Sequence, residues 1–324
     1  MICIAVGGVE KTINILFPYS YDFYKTNLLN LTNAFKDNGH RVILTKKNNL
    51  KTLPQLPDLI ISNQAWWGVE YEIGKESNKL GIPHITIEHG TPMFYQSNRQ
   101  YYRRTIGSAN LKLLWGQQNF DMMKRYKCST KLLKITGNPR FDDLCKYKPS
   151  THNVPRILFL STWKISGKID LIWREVIKQS EKLNCKLIYK PHPMEKYRGA
   201  LINKEALPNN VRILKNEELY SEIAKASLVI TAPTSVLVPI FFFKKPVYSY
   251  YPPILGKLSK GLLKFYFKFK IPHVKTMTST INIEKLLDSK IDHQKYENYF
   301  DYIAFSSDCN STKRVYDCCM EFAS

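Results

Sequence analysis

The sequence has no Gly-x-Gly-x-x-Gly fingerprint and no P-loop. Its one early glycine pair, Gly7-Gly8, runs into Val9-Glu10-Lys11 and fits neither pattern. This argues against a dinucleotide cofactor and against ATP hydrolysis. No apolar run approaches the roughly 18 residues of a membrane-crossing helix. Met1 to Val6 is followed by Gly-Gly-Val-Glu rather than an apolar stretch ending in a small-residue cleavage site, so no signal peptide is expected. The seven cysteines (Cys3, Cys128, Cys145, Cys185, Cys309, Cys318, Cys319) form no C-x-x-C pair and have no histidine at metal-ligand spacing. They read as reduced thiols of a cytoplasmic protein. No aspartate-rich motif asks for a metal, and neither a metal nor a cofactor is expected.

Carboxylates are also scarce. Against 48 Lys plus Arg stand only 27 Asp plus Glu, a formal net charge of +21. From Ile223 to Ile283 there is no carboxylate at all, while Lys225, Lys244, Lys245, Lys257, Lys260, Lys264, Lys268, Lys270 and Lys275 fall inside. Such a field predicts an anionic partner. With no zinc-finger, RRM or helix-turn-helix signature, nucleic acid is not the expected one.

A hydrophobic fraction of 44% over 324 residues supplies cores for two units or one large α/β unit. Short apolar runs alternate with amphipathic stretches, the pattern of βα repeats around parallel sheets. Strands are predicted over 12–18, 41–45, 58–62, 82–88, 111–115 and 132–135. Helical spacing of Leu28, Leu31 and Phe35 ends at Asn38-Gly39-His40. The segment Lys146 to Pro155 (KYKPSTHNVP) lacks apolar periodicity and reads as a linker. A second series follows, with strands at 156–161, 186–189, 211–214, 228–231 and 246–249 and helices at 169–183 and 217–225. The expectation is an α/β chain of two Rossmann-like, doubly wound domains, 1–148 and 149–324, facing across a cleft. Ligand loops then lie at the carboxyl ends of the strands.

The residues after each predicted strand carry the candidates. Glu88-His89-Gly90-Thr91-Pro92 follows the fourth strand. An imidazole suits proton transfer at neutral pH, although His89 alone could equally cap the strand. Glu88 is a rival base, or orients the imidazole. Lys190-Pro191-His192-Pro193 locks a lysine and a histidine between prolines, as a diphosphate site or a rigid turn. Thr234 and Ser235 precede the apolar run Leu237 to Phe243, placing hydroxyls at a helix start as an anion site or an ordinary N-cap. Ser161-Thr162 is a weaker instance. In Thr136-Gly137-Asn138-Pro139-Arg140-Phe141-Asp142, Arg140 either clamps a phosphate or pairs with Asp142.

Taken in order, EHGTP (88–92), TGNPRFD (136–142), YKPHP (189–193), ITAPTSV (230–236), KKPVYSY (244–250) and DCNSTKRV (308–315) resemble the GT-B-fold transferases of bacterial surface polymers. The likeness is closest to the CDP-glycerol glycerophosphotransferases of teichoic acid and capsule synthesis. The resemblance implies His89 as base on an acceptor hydroxyl, with His192, Thr234 and Ser235 holding the donor pyrophosphate. It implies a lipid-linked polyol-phosphate or saccharide acceptor at the inner face of the cell membrane, the nucleotide donor being a substrate and not a cofactor. Two positions depart from the family: Glu88 stands where an aromatic residue is common, and Ala232-Pro233 where Asp-Tyr is common. TGNPRFD also occurs in surface-carbohydrate glycosyltransferases, so a CMP- or UDP-sugar donor is the alternative. A non-catalytic polyanion-binding protein of the same fold is a further one.

Lys257 to Lys270 (KLSKGLLKFYFKFK), read as a helix, places Phe265 and Phe269 on an apolar face and Lys257, Lys260, Lys264 and Lys268 on a cationic one. This suits an anionic bilayer surface. Strand alternation of Phe265, Phe267 and Phe269 with lysines is the competing reading.

Overall fold

The computed structural model describes residues 11–20, 22–63, 68–88, 108–125, 127–161, 169–193, 207–231, 235–251, 274–276 and 281–323. Two parallel sheets of six strands organise them. The first contains β1 (Asn14–Pro18), β2 (Arg41–Thr45), β3 (Leu59–Ser62), β4 (His84–Ile87), β5 (Leu111–Leu114) and β6 (Leu133–Ile135), in the order β2-β1-β3-β4-β5-β6. Around it lie α1 (Asp22–Asn27), α2 (Leu29–Asp37), α3 (Gly68–Leu80) and α4 (Gln117–Arg125). Gly39, with φ of +80°, supplies the left-handed residue that ends α2 where the Asn-Gly-His signal predicts a break.

A 3-10 stretch, Pro139–Lys146, leads to the second sheet. Its strands are β7 (Arg156–Leu160), β8 (Lys186–Lys190), β9 (Arg212–Ile213), β10 (Leu228–Thr231), β11 (Val247–Tyr251) and β12 (Val274–Thr276), in the order β12-β11-β10-β7-β8-β9. The helices here are α5 (Ile169–Lys182), α6 (Leu219–Lys225), α7 (Leu237–Phe242), α8 (Ile283–Leu287), α9 (His293–Ala304) and α10 (Ser311–Ala323). Every strand pairing is parallel. β3, β4, β5 and β10 are buried along their whole length, as sheets covered on both faces require. Each fully buried Leu, Ile or Phe contributes about 1.5–3 kcal/mol of transfer free energy.

The edge strand β12 is absent from the predicted set because three residues inside a lysine-rich segment give no readable alternation. The last helix, α10, leaves the second sheet. Its Val315, Cys318 and Cys319 are buried with Ile15, Phe17, Phe35 and Leu113 of the first unit. Tyr316 packs on Phe35 at 4.9 Å and meets the His40 ring nitrogen at 3.1 Å. The chain thus crosses between its units twice, once through 146–155 and once on the way into α10.

Reduced thiols are expected throughout, but Cys145 and Cys309 form a disulfide 164 residues apart in sequence. Nothing local to either cysteine encodes this. Their partnership arises because α10 returns to the 3-10 stretch. Cys128, Cys185, Cys318 and Cys319 are free. No described helix is long and apolar enough to cross a membrane.

Candidate functional site at the carboxyl edges of the two sheets

In the second sheet, β7 lies between β10 and β8, so the strand order reverses beside it. Leu160 pairs with both Lys190 and Thr231. The three strands therefore end level. Leu160, Lys190 and Thr231 lie side by side, spaced by roughly the 4.8 Å between strands. Ligands of open α/β sheets bind at such a reversal. Ser161 and Lys190 sit at this edge, His192 comes two residues after β8 and Ser235 four residues after β10, whereas Thr162 and Thr234 lie outside the described residues.

Ser161 is buried, and its N–H donates to the Lys190 carbonyl at 2.9 Å. Lys190 is only 6% exposed. Its Nζ donates to the Pro191 carbonyl at 2.7 Å and to Asn216 Oδ1 at 2.6 Å. His192, half-buried, has its pKa lowered to about 4, first by burial and then by the charge of Lys190. It is a neutral imidazole at pH 7, offering one N–H and one lone pair. Ser235 is half-buried and its carbonyl accepts from the Val238 N–H at 3.2 Å. The helix that follows it has only six residues, so the dipole expected there is slight. Asn216, between β9 and α6, carries no sequence signal and is the member of this edge that motif reading misses.

At the first sheet, Glu88 follows β4 directly. Its N–H donates to the Leu113 carbonyl at 2.9 Å. Its side chain turns inward to Lys112 on β5, Nζ to Oε2 at 2.9 Å, each side chain 3% exposed. The Glu88 carbonyl accepts from Trp115 Nε1 at 2.6 Å and from Asn138 Nδ2 at 3.4 Å. Four contacts thus fix the residue that precedes His89, which itself lies outside the described residues. The Glu88 carboxylate is thus engaged by a buried lysine of the neighbouring strand.

Arg140 is stacked between Trp115 and Phe141, 4.7 and 4.5 Å from their ring centroids. Burial disfavours its charge, and the nearby Tyr220 phenol acts in the opposite sense. Its Nε has no hydrogen-bond partner among the described residues. The Arg140–Asp142 pair weighed from sequence does not form. Asp142 accepts from the N–H groups of Ser311 and Thr312 at 3.0 and 2.6 Å, capping α10.

TGNPRFD and DCNSTKRV are joined directly. Arg314 Nε donates to the Thr136 carbonyl at 2.8 Å, and its Nη1 pairs with Asp308 at 2.7 Å. Gly137, with φ of +78°, lies so close to the Ser311 hydroxyl that a Cβ would collide with it. Much of what these two motifs share is therefore a structural clasp.

Within the carboxylate-free interval, Lys244 pairs with Glu297, Lys225 lies 4.0 Å from Glu222, and Lys245 donates to the Ser150 carbonyl at 3.4 Å. Lys257, Lys260, Lys264, Phe265, Lys268 and Phe269 lie outside the described residues. No cluster of three or more His, Cys, Asp or Glu suited to a metal occurs among the described residues.

The sequence matches no family model and no curated relative. Solved structures do match. The wall teichoic acid polymerase TagF superposes with a TM-score of 0.64 at 13% identity, over 96% of this chain and 88% of that one. The UDP-GlcNAc 2-epimerase of Methanocaldococcus jannaschii, in complex with UDP-GlcNAc and UDP, gives 0.62 at 12% identity over 95% and 99%. The Neisseria meningitidis UDP-GlcNAc 2-epimerase bound to UDP-GlcNAc gives 0.60 at 11% over 96% and 100%. At these identities the likeness is one of fold: two parallel-sheet α/β domains in the GT-B arrangement.

Proposed function

We propose that this chain is a GT-B transferase that takes a group from a nucleotide-activated donor, CDP-glycerol or a related CDP-polyol, and delivers it to a hydroxyl of a lipid-linked surface polymer. The carrying observation is the level end of β10, β7 and β8 at the strand-order reversal of the second sheet, the three strands that Ser161, His192 and Ser235 follow in the sequence. Support comes from the TagF likeness and from the ordered motifs.

In this reading His192, Ser235 and Thr234 hold the donor phosphates with neutral N–H and O–H donors, joined by Ser161 and Thr162. His89 takes the proton of the acceptor hydroxyl, Glu88 orients it, and Arg140 lends charge between the units. The hydroxyl oxygen attacks the terminal phosphorus, the bond to the bridging oxygen breaks, and CMP departs. The division near residue 148, the peripheral place on the inner membrane face and the headgroup contact of 257–270 belong to the same proposal, supported by the +21 charge.

A second reading, a UDP-sugar ligand, is favoured by the epimerases that superpose over nearly the whole chain. Product analysis separates the two. Incubation with radiolabelled CDP-glycerol and a glycerol-phosphate-primed lipid should release CMP only when both are present. Release of UDP from UDP-GlcNAc on the same acceptor would make the chain a glycosyltransferase, and conversion of UDP-GlcNAc without any acceptor would make it an epimerase.

A further inference from the structure

Asn216 stands outside every recognised motif, yet it receives the Lys190 ammonium at 2.6 Å. We propose that Asn216 is a positioning residue of the donor edge: with the Pro191 carbonyl it fixes Lys190 beside the 191–193 turn, so that the lysine acts on His192 as a stationary charge rather than as a mobile phosphate ligand. The proposal rests on the reading of this edge as the donor site.

A lysine only 6% exposed is tolerated when its N–H groups are satisfied, and two of them end on Asn216 Oδ1 and the Pro191 carbonyl. Asn216 is itself held. Its carbonyl accepts from the Leu219 N–H at 3.3 Å, and the neighbouring Leu214 N–H donates to the Tyr189 carbonyl at 2.8 Å, lacing this loop to β8.

The acceptor is an amide, and that choice has a consequence. A carboxylate there would cancel the lysine charge, whereas an amide oxygen holds the ammonium and leaves its field intact. Glu218, two residues on, is engaged with Arg212 and the Lys215 N–H. The Lys190 charge bears on His192, adding to burial in disfavouring the imidazolium. A neutral imidazole then meets the donor as a hydrogen-bond donor, and the cationic field behind it favours the phosphates without a lysine that must reorganise.

The test compares wild type with Asn216→Ala, Asn216→Asp and Lys190→Met in the full chain. The His192 imidazole is titrated by NMR, and CDP and UDP binding are measured by calorimetry. Wild type should titrate near pH 4. Lys190→Met should raise the midpoint, Asn216→Ala should raise it in the same direction, and Asn216→Asp, which keeps the acceptor but cancels the charge, should raise it with the melting temperature unchanged. Nucleotide affinity should fall about fivefold in Asn216→Ala, the scale of one ordinary hydrogen bond, because the lysine behind the site is no longer held. A His192 midpoint unmoved in Asn216→Ala while Lys190→Met moves it would overturn the proposal, as would unchanged nucleotide affinity. Should Asn216→Ala fail to fold, an unmoved midpoint in Asn216→Asp overturns it equally. If wild type binds neither nucleotide, the donor-site reading fails, and the titration alone decides whether Asn216 governs the lysine's action on His192.

Discussion

The Asp142 carboxylate accepts from the backbone N–H of Ser311, 169 residues later, and with its other oxygen from Thr312. One side chain in the last segment of the first unit thereby starts the final helix of the chain. A side chain that satisfies first-turn N–H groups in the manner of an N-cap contributes about 1 kcal/mol, up to about 2. Asp142→Ala should lower unfolding free energy by that amount in urea and leave nucleotide affinity within a factor of about two. A loss of affinity at unchanged stability would give Asp142 a place in the site instead.

Cys145 and Cys309 reinforce the same junction. Closing so long a loop restricts the unfolded chain, and loss of such a bond costs about 2–4 kcal/mol. Reductant should lower the wild-type melting temperature and leave Cys145→Ser unaffected, its midpoint already matching that of reduced wild type. Free thiol at Cys145 in unreduced protein, shown by alkylation and peptide mapping, would remove the bond from the account.

Acid should destabilise the protein through its histidines before its carboxylates titrate. His84 is fully buried, its Nδ1 donating to the Ser108 carbonyl at 2.6 Å while Nε2 faces the Ser62 hydroxyl at 2.8 Å. Burial lowers its pKa to about 4, with the Ser108 bond opposing. His192 is lowered to a similar value. Between pH 6.5 and 4 the unfolded chain takes up protons that the folded one refuses, so stability present above pH 6.5 is lost as pH falls toward 4. His84 alone accounts for roughly 3 kcal/mol across that window. Below it Glu222 adds to the loss: burial opposes its charge, but Arg156 and Arg212 outweigh burial and depress its pKa. Denaturant midpoints measured from pH 7.5 to 4 should fall, and His84→Gln should flatten the upper part of the curve. A midpoint independent of pH over 6.5 to 4.5 would contradict the histidine assignment.

His89→Ala should reduce turnover roughly 10²-fold or more with donor affinity little changed, the scale of a lost general base. Glu88→Gln should cost less in turnover and more in stability, because it leaves Lys112 buried without its counter-charge. Activity within a factor of about two in His89→Ala, together with none in Glu88→Gln, would pass the base to Glu88.

Much of the fold is legible in the sequence because buried parallel strands write themselves as short aliphatic runs. LIIS and LVIT are buried at every position, and β2 and β10 begin and end where predicted. The site is legible only as a row of loops. Lys112 reads as one more strand residue in LKLL, and nothing in its neighbourhood announces the carboxylate of Glu88 across the sheet. The same limit hides Asn216 beneath Lys190 and Cys309 beside Cys145. In each case the partner is chosen by the topology of the sheets, not by spacing along the chain. Arg140 and Asp142, two residues apart in one motif, show the reverse: proximity in sequence suggests a pair, and the fold sends them to different partners.

The central claim is that the second unit's edge binds the phosphates of a nucleotide-activated donor. Calorimetric titration of wild type and His192→Ala with CDP-glycerol, a CMP-sugar and UDP-GlcNAc tests it most directly. Saturable binding of one of them, weakened about tenfold or more by His192→Ala through the loss of a buried phosphate contact, is the predicted result. No binding of any of the three, or binding that His192→Ala leaves untouched, would contradict it.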